Sequence, residues 1–120
     1  MPTILIVDDE PDILLVLRMG FEDEGYDVVM AADGEMALAR MTEHRPDVVV
    51  LDLMMPVLDG YGVLDRLRDR SDRPPVVVLS AKSEQADVDR ALGLGATEFV
   101  SKPFDLDRLV AIVASTLATP

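Results

Sequence analysis

The sequence has no cysteine and no tryptophan among its 120 residues. It also has no apolar run that approaches the roughly 20 residues of a membrane-spanning helix. Without cysteine, neither a disulfide framework nor a thiolate metal site can form. The amino terminus leads directly into an apolar run with no basic segment before it, so we expect no signal peptide. These absences predict a soluble cytoplasmic protein that does not associate with a membrane.

Basic residues are scarce as well, since 11 Lys and Arg stand against 23 Asp and Glu, for a formal net charge of −12. A protein that binds nucleic acid needs basic side chains clustered on one face, because its partner is a polyanion. The densest group of arginines is instead interleaved with aspartates, in the order Asp65, Arg66, Arg68, Asp69, Arg70, Asp72 and Arg73. We therefore predict no direct contact with nucleic acid.

Hydrophobic residues make up 49% of the chain, which at this length predicts one folded domain over residues 1–120. Five short apolar runs are each followed by a segment with helical periodicity. The predicted strands are Ile4–Val7, Asp27–Ala31, Asp47–Leu51, Val76–Leu79 and Thr97–Val100. Because the connections are short, this alternation predicts a three-layer α/β fold, with a five-stranded parallel sheet and helices on both faces.

The helices carry recognisable signals at their ends and on their inward faces. Aspartates are expected to cap three of them, at Asp33, Asp59 and Asp105. The fourth helix has the weakest apolar face, with predicted inward residues Val88, Ala91 and Leu92. The methionines are interpreted as core residues, among them Met19, Met36 and Met41.

Five polar residues follow the predicted strands, at Asp8, Asp9, Asp52, Ser80 and Lys102. The carboxyl ends of parallel strands share one edge of a sheet, where ligands of such folds bind. If the first and third strands are neighbours, three carboxylates meet there, and each raises the pKa of the others. A hard divalent cation removes this conflict, and Mg²⁺ fits because it takes a few carboxylates and keeps sites for water and phosphate.

A lysine and a serine at the same edge indicate a phosphoryl ligand. A metal and Lys102 can neutralise the phosphoryl oxygens while a carboxylate attacks in line and forms an aspartyl phosphate. Asp52, which ends the central strand, is the best candidate nucleophile, and Asp8 and Asp9 are then left to hold the metal. Singly, each residue has an ordinary alternative as a helix cap, a surface charge or a strand-end hydroxyl. Their coincidence at one edge favours the site.

Four segments resemble the signature of response-regulator receiver domains, the phosphoacceptor modules of two-component signalling. They are Asp8-Asp9, Asp52-x-x-Met55-Pro56-x-x-Asp59-Gly60, Ser80-Ala81 and Lys102-Pro103-Phe104. The resemblance covers essentially the whole chain and implies the flavodoxin-like fold that the chemotaxis regulators share, with strand order 2-1-3-4-5. It also implies a phosphorylation-dependent switch rather than an enzyme, although the domain promotes its own phosphorylation and dephosphorylation.

The resemblance implies a metal role for four residues. Asp9 and Asp52 would ligate Mg²⁺ directly, with Mn²⁺ as a substitute, Asp8 would act largely through water, and the backbone carbonyl of Met54 would complete the protein ligands. Asp52 would be the phosphoacceptor, which takes its phosphoryl group from a histidine kinase, a histidine phosphotransfer protein or a small phosphodonor.

The resemblance also implies how the phosphoryl group is sensed. Lys102 would contact it, with a cis bond to Pro103, and Ser80 would swing toward it while Phe99 turns inward. The changed surface would be the fourth helix, fifth strand and fifth helix, which would signal to a downstream protein or to an output domain missing from this chain. Phe99 departs from the frequent tyrosine, and residues 95–99 lack the paired acids of regulators that dimerise through this surface. We therefore expect a monomer or a weak phosphorylation-dependent dimer.

Two other functions remain open on the residues alone. An aspartate-nucleophile phosphatase of the haloacid dehalogenase type would need a second acid two residues after Asp52, where Met54 stands. A flavodoxin-type nucleotide-binding module would need a phosphate-cradling loop rich in Gly, Ser or Thr after the first strand, where the chain has Asp8, Asp9 and Glu10.

Overall fold

The structure is a computed structural model that describes residues 1–118, so the last two positions of the predicted domain lie outside the described residues. Five strands alternate with five helices: β1 (Thr3–Val7), α1 (Pro11–Asp23), β2 (Asp27–Ala31), α2 (Gly34–His44), β3 (Val48–Leu51), α3 (Gly60–Leu67), β4 (Val76–Ser80), α4 (Gln85–Gly93), β5 (Glu98–Ser101) and α5 (Leu106–Ala118). Every predicted strand is confirmed to within one residue at each end.

The strands form one parallel sheet in the order β2-β1-β3-β4-β5. This is the flavodoxin-like strand order that the resemblance to receiver domains implies. In the central pair, Val7 of β1 lies opposite Leu51 of β3, so the next residue of each strand leaves the sheet at the same level. The register therefore places Asp8 and Asp52 side by side.

Apolar side chains alternate between the two faces of the sheet and build two separate cores. Leu5 and Val7 of β1 belong to the core beneath α2, α3 and α4, whereas Ile4 and Ile6 belong to the core beneath α1 and α5. All of β3 and β4 is buried, as expected for central strands covered on both faces. The three-layer prediction is confirmed.

The predicted helix caps are also confirmed. The side chain of Asp33 accepts a hydrogen bond from the backbone N–H of Met36 at 2.8 Å, and Asp59 accepts one from Gly62 at 2.9 Å. The side chain of Asp105 accepts from the N–H of Asp107 at 2.9 Å. Each bond satisfies a donor that the first turn of a helix leaves without a partner in the helix.

Some local predictions are wrong. The central strand begins at Val48 rather than at Asp47, which is exposed and whose carboxylate accepts the backbone N–H of Thr3 at 2.7 Å. Leu92, predicted to face inward, is 44% exposed, since it follows the buried Ala91 around the helix. Met19 and Met36 are on the solvent side of their helices, and of the three predicted core methionines Met41 alone is buried. Within residues 1–118, no helix is long and apolar enough to cross a membrane.

Candidate functional site

The backbone delivers the predicted site residues to one edge of the sheet. The N–H of Asp8 donates to the carbonyl of Ala31 at 3.1 Å, and the N–H of Asp52 donates to the carbonyl of Val7 at 3.0 Å. In the same way, the N–H of Lys102 donates to the carbonyl of Ser80 at 3.0 Å. These bonds continue the parallel ladder one residue beyond the strands, so the side chains are held by the sheet itself.

Four carboxylates gather at this edge, those of Asp8, Asp9, Glu10 and Asp52. One oxygen atom from each lies within 4.8 Å of the others. Asp8 and Asp52 are buried, whereas Asp9 and Glu10 are exposed. The convergence of Asp8, Asp9 and Asp52 predicted from the sequence is therefore observed, and Glu10 joins it.

Lys102 stands directly after β5, and its ammonium group offsets part of the negative charge of this cluster. Its Nζ atom lies 2.8 Å from Oδ2 of Asp8, 3.3 Å from Oδ2 of Asp52 and 3.4 Å from Oε1 of Glu10. The bond between Lys102 and Pro103 is cis, as expected. One ammonium therefore serves two buried carboxylates and one exposed carboxylate.

For both Asp8 and Lys102, burial and the contact with the oppositely charged partner shift the pKa in opposite directions. Burial raises the pKa of Asp8 above its ordinary value, although the hydrogen bonds from Lys102 and from the N–H of Glu10 oppose that shift. For Lys102, burial lowers the pKa, but the carboxylates of Asp8 and Asp52 outweigh it and the pKa is raised. The lysine is consequently a firmly held cation at neutral pH.

Asp52 and Asp8 differ in how they meet the surface. A cavity of about 230 Å³ opens beside the cluster and is lined by Asp9, Glu10, Asp52, Met54, Ala81 and Lys102. Asp8 is not one of its lining residues and is 1% exposed. Oδ1 of Asp52 accepts the N–H of Met54 at 3.2 Å, whereas Oδ1 of Asp8 accepts the N–H of Glu10 at 2.9 Å. Of the two buried carboxylates, Asp52 is thus the one open to a ligand.

The loop after Asp52 is held tightly against the strand by Gly60. A Cβ atom at this position would collide with the carbonyl oxygen of Asp52 and with Cα of Leu53, so only glycine fits. The N–H of Gly60 also donates to the carbonyl of Leu53 at 3.0 Å. The Asp59-Gly60 step therefore packs the start of α3 directly against the end of β3.

Ser80 lies on β4, which adjoins β3, and Phe99 lies on β5, the edge strand beside β4. Ser80 is fully buried at the end of β4, and its hydroxyl accepts the backbone N–H of Lys82 at 3.2 Å. Phe99 is half-buried on β5, opposite Val78 of β4, and packs against the core beneath α2, α3 and α4. Met54 exposes its side chain at the rim of the cavity.

Sequence reasoning missed two features of this region. Glu10 takes part in the cluster, and its position directly after Asp9 was the available signal. The second is a link between helices, in which the hydroxyl of Tyr61 donates to Oδ1 of Asp87 at 3.0 Å. No short-range pattern points to it, because the two residues lie 26 positions apart on α3 and α4.

Comparisons with known proteins agree with one another. The pattern of the family described as "Response regulator receiver domain" matches residues 4–114. The "Transcriptional regulatory protein PrrA" of Mycobacterium tuberculosis is 46% identical over 116 residues, which cover 97% of this chain and 50% of that protein. The chain spans about half the length of the curated relatives it matches.

Solved structures of receiver domains and chemotaxis regulators match this chain over nearly its whole length. The receiver domain of Francisella response regulator 1452 superposes with a TM-score of 0.92 and 34% identity, over 98% of this chain and 97% of that one. The Vibrio cholerae chemotaxis protein CheY4 gives a TM-score of 0.90 and 30% identity, over 97% and 98% of the two chains.

Proposed function

The chain belongs to the response-regulator receiver family, whose members accept phosphoryl groups in signalling, and we propose that Asp52 is its phosphoacceptor. The observation that carries the proposal is the position of Lys102, whose Nζ contacts the buried carboxylates of both Asp8 and Asp52. Only Asp52 of these two lines the adjoining cavity. A phosphodonor can therefore reach Asp52 with a cation already in place.

The transfer is an in-line substitution at phosphorus. A carboxylate oxygen of Asp52 forms a bond to phosphorus while the bond from phosphorus to the donor breaks, and the donor group departs with the electron pair. For a histidine kinase or a histidine phosphotransfer protein, the departing group is an imidazole nitrogen. For a small phosphodonor such as acetyl phosphate, it is the acyl oxygen. Hydrolysis of the product makes the domain a self-resetting switch, not an enzyme with its own substrate.

The donor set fits a magnesium ion. Receiver domains generally bind Mg²⁺ at an acidic pocket, and the clustered oxygens of Asp8, Asp9, Glu10 and Asp52 are the hard ligands that this ion prefers. In our proposal Asp9 and Asp52 bind the ion directly, Asp8 binds largely through water and the carbonyl of Met54 also contributes. The same oxygens would accept Mn²⁺. When bound, the ion supplies positive charge that offsets the phosphoryl oxygens.

Lys102 and Ser80 would respond to the new charge. A phosphorylated Asp52 carries nearly two negative charges and three acceptor oxygens, so it competes with Asp8 and Glu10 for the ammonium of Lys102. The hydroxyl of Ser80, which now accepts the N–H of Lys82, would turn to donate to a phosphoryl oxygen. In our proposal, Phe99 turns further inward with it and the surface of α4, β5 and α5 changes.

Partners follow from the family and from the charge of the chain. Response regulators work with histidine kinases and with output targets. PrrA is named a transcriptional regulatory protein, but this chain spans half of its length and has a net charge of −12. We therefore propose a cytoplasmic receiver domain over residues 1–120, a monomer or weak phosphorylation-dependent dimer. In this proposal the chain makes no direct contact with nucleic acid, and a partner or a further domain would make any such contact.

Incubation with acetyl phosphate and Mg²⁺, followed by intact and tandem mass spectrometry, tests the acceptor. We expect the mass of one phosphoryl group on Asp52, its loss when EDTA is present from the start, and no gain in Asp52→Asn. Asp65→Asn is the matched control, because Asp65 is exposed on α3 and pairs only with Arg68 among the described residues. A phosphoryl group mapped to another residue, or uptake retained in Asp52→Asn, would overturn the assignment.

A further inference from the structure

Helix α4 is held to the rest of the domain by little apolar surface. Ala91 is the only one of its residues, all of them described, that is buried, and Leu92 is exposed. The residue before its first turn, Glu84, provides no side-chain cap. By contrast, α3 buries Tyr61, Val63, Leu64 and Leu67 and is firmly attached to the sheet. Apolar packing therefore fixes α3 far more strongly than α4.

Polar contacts also attach α4 to a single side chain of α3. The hydroxyl of the buried Tyr61 donates a hydrogen bond to Oδ1 of Asp87 on α4 at 3.0 Å. The guanidinium carbon of Arg90, one turn further along α4, lies 3.9 Å from the centroid of the same ring. Burial and the neighbouring Asp87 raise the pKa of Tyr61, so the hydroxyl keeps its hydrogen for this bond. Asp87 and Arg90 thus contact the same tyrosine side chain at two points, the hydroxyl and the face of the ring.

The same group of residues reaches back to the phosphoryl site. Lys82 lies over the Tyr61 ring, with its Nζ 5.7 Å from the centroid and 3.9 Å from Oδ1 of Asp87. The backbone N–H of Lys82 is the donor to the hydroxyl of Ser80. A continuous set of contacts therefore joins the end of β4 to the first two turns of α4.

We propose that Tyr61, Asp87 and Arg90 form a clamp that fixes α4 against α3 in the unphosphorylated domain and opens when Asp52 is phosphorylated. Loss of the Ser80–Lys82 bond, and attraction of the Lys82 ammonium toward the new phosphoryl charge, withdraw Lys82 from Asp87. Asp87 then loses its contact with the Lys82 ammonium, and α4 has few buried contacts with which to keep its position. The opening step rests on the proposed function, whereas the closed clamp does not.

Amide hydrogen exchange of the unphosphorylated protein, followed residue by residue by NMR, tests the closed clamp. Tyr61→Phe keeps the ring and the Arg90 contact but removes the hydroxyl. Because one net hydrogen bond to a carboxylate is lost, exchange in α4 should accelerate about tenfold, while α5 is unchanged. Tyr26→Phe is the matched control, since Tyr26 packs against Phe21 on the other side of the sheet. Asp87→Ala, which removes the acceptor of the Tyr61 hydroxyl, should act like Tyr61→Phe, and Asp89→Ala, which removes a partner of Gln85, should not.

Unchanged α4 exchange in Tyr61→Phe, or acceleration that is equal in α4 and α5, would overturn the closed clamp. A second arm uses wild-type protein with acetyl phosphate and Mg²⁺, in which phosphorylation is first verified by mass. Faster exchange in α4 of the phosphorylated protein, with a smaller further increase in Tyr61→Phe, supports opening. If Asp52 is phosphorylated and α4 exchange does not change, the opening step is wrong. If Asp52 takes up no phosphoryl group, the proposed function fails, and the first arm still decides the clamp.

Discussion

Lys102 and Asp8 form a 2.8 Å ion pair although they lie 94 positions apart in the chain. Their side chains are 11% and 2% exposed, so the pair is largely removed from water. A single lysine cannot balance four carboxylates, and the cluster keeps a net negative charge. The edge of the sheet is therefore electrostatically unfavourable by itself and suited to a cation.

Removal of one charge from the cluster should stabilise the domain when no divalent ion is present. Asp9 is the residue of choice, because it is exposed and makes no ion pair with Lys102 among the described contacts. Relief of repulsion at this separation is expected to raise the free energy of unfolding of Asp9→Asn by about 1 kcal/mol or less. Urea denaturation in EDTA measures it.

The control for this prediction is the same measurement in Mg²⁺. Wild-type protein should gain stability from the ion, and Asp9→Asn should gain less, because it lacks a ligand. The difference in free energy of unfolding between Asp9→Asn and wild type should therefore shrink or change sign as the ion is added. Equal stabilisation of both proteins by Mg²⁺ would contradict a metal role for Asp9.

Stability should fall in alkaline solution for two identifiable reasons. The pKa values of Lys102 and Tyr61 are raised in the folded state from ordinary values of 10.5 and 10.0. Such groups hold their protons more tightly when folded, so their contribution is complete below those values and is lost as the pH rises through the higher folded pKa. The free energy of unfolding should decline above about pH 10.

Variants assign that decline to the two groups. Lys102→Met and Tyr61→Phe should each make the loss of stability above pH 10 shallower. Tyr26→Phe is the matched control, because Tyr26 is the only other tyrosine in the sequence and packs against Phe21 on the other face of the sheet. Chemical denaturation at pH 8 and at pH 11 measures the difference. A decline that is identical in Lys102→Met and wild type would show that the ion pair does not cause it.

Much of the site could be predicted because its residues stand in the sequence just after the apolar strand segments. β-Branched apolar runs predict buried parallel strands, and the first polar residue after each run must leave the sheet at the shared edge. The placement of Asp8 and Asp52 at this edge could be predicted from the apolar runs alone. The helix caps at Asp33 and Asp59 were equally local, since a cap depends on the next three residues.

Contacts between helices could not be predicted in this way. The Tyr61–Asp87 bond depends on how α3 and α4 pack side by side on the sheet, which no periodicity encodes. Leu92 illustrates the same limit, because its apolar character predicts burial although the helix turns it toward solvent. Hydrophobicity indicates which residues can be buried, and the packing decides which of them are.

Phe99→Tyr should shift the side chain outward. Phe99 is half-buried against an apolar core, and an added hydroxyl would need a hydrogen-bond partner in that position. The inward population should therefore be smaller in Phe99→Tyr before phosphorylation. Ring NMR resonances in both proteins, with the Phe21 ring as an internal reference, report the populations. An inward population that is equal or larger in Phe99→Tyr would mean that the hydroxyl finds a partner there.

Val57 should be replaceable by glycine with a gain in stability. It lies in the loop between β3 and α3 with φ of 70°, a left-handed conformation that β-branched residues adopt only with strain, and it is 79% exposed. Since Val57→Gly removes the strain and few contacts, the free energy of unfolding should rise by about 1 kcal/mol, after allowance for the greater freedom of glycine in the unfolded chain. Val16→Gly provides the matched control, because Val16 is an exposed valine inside α1, where glycine should destabilise by about 1 kcal/mol. Urea denaturation of the two variants should thus give changes of opposite sign, and a loss of stability in both would show that the loop conformation is not strained at Val57.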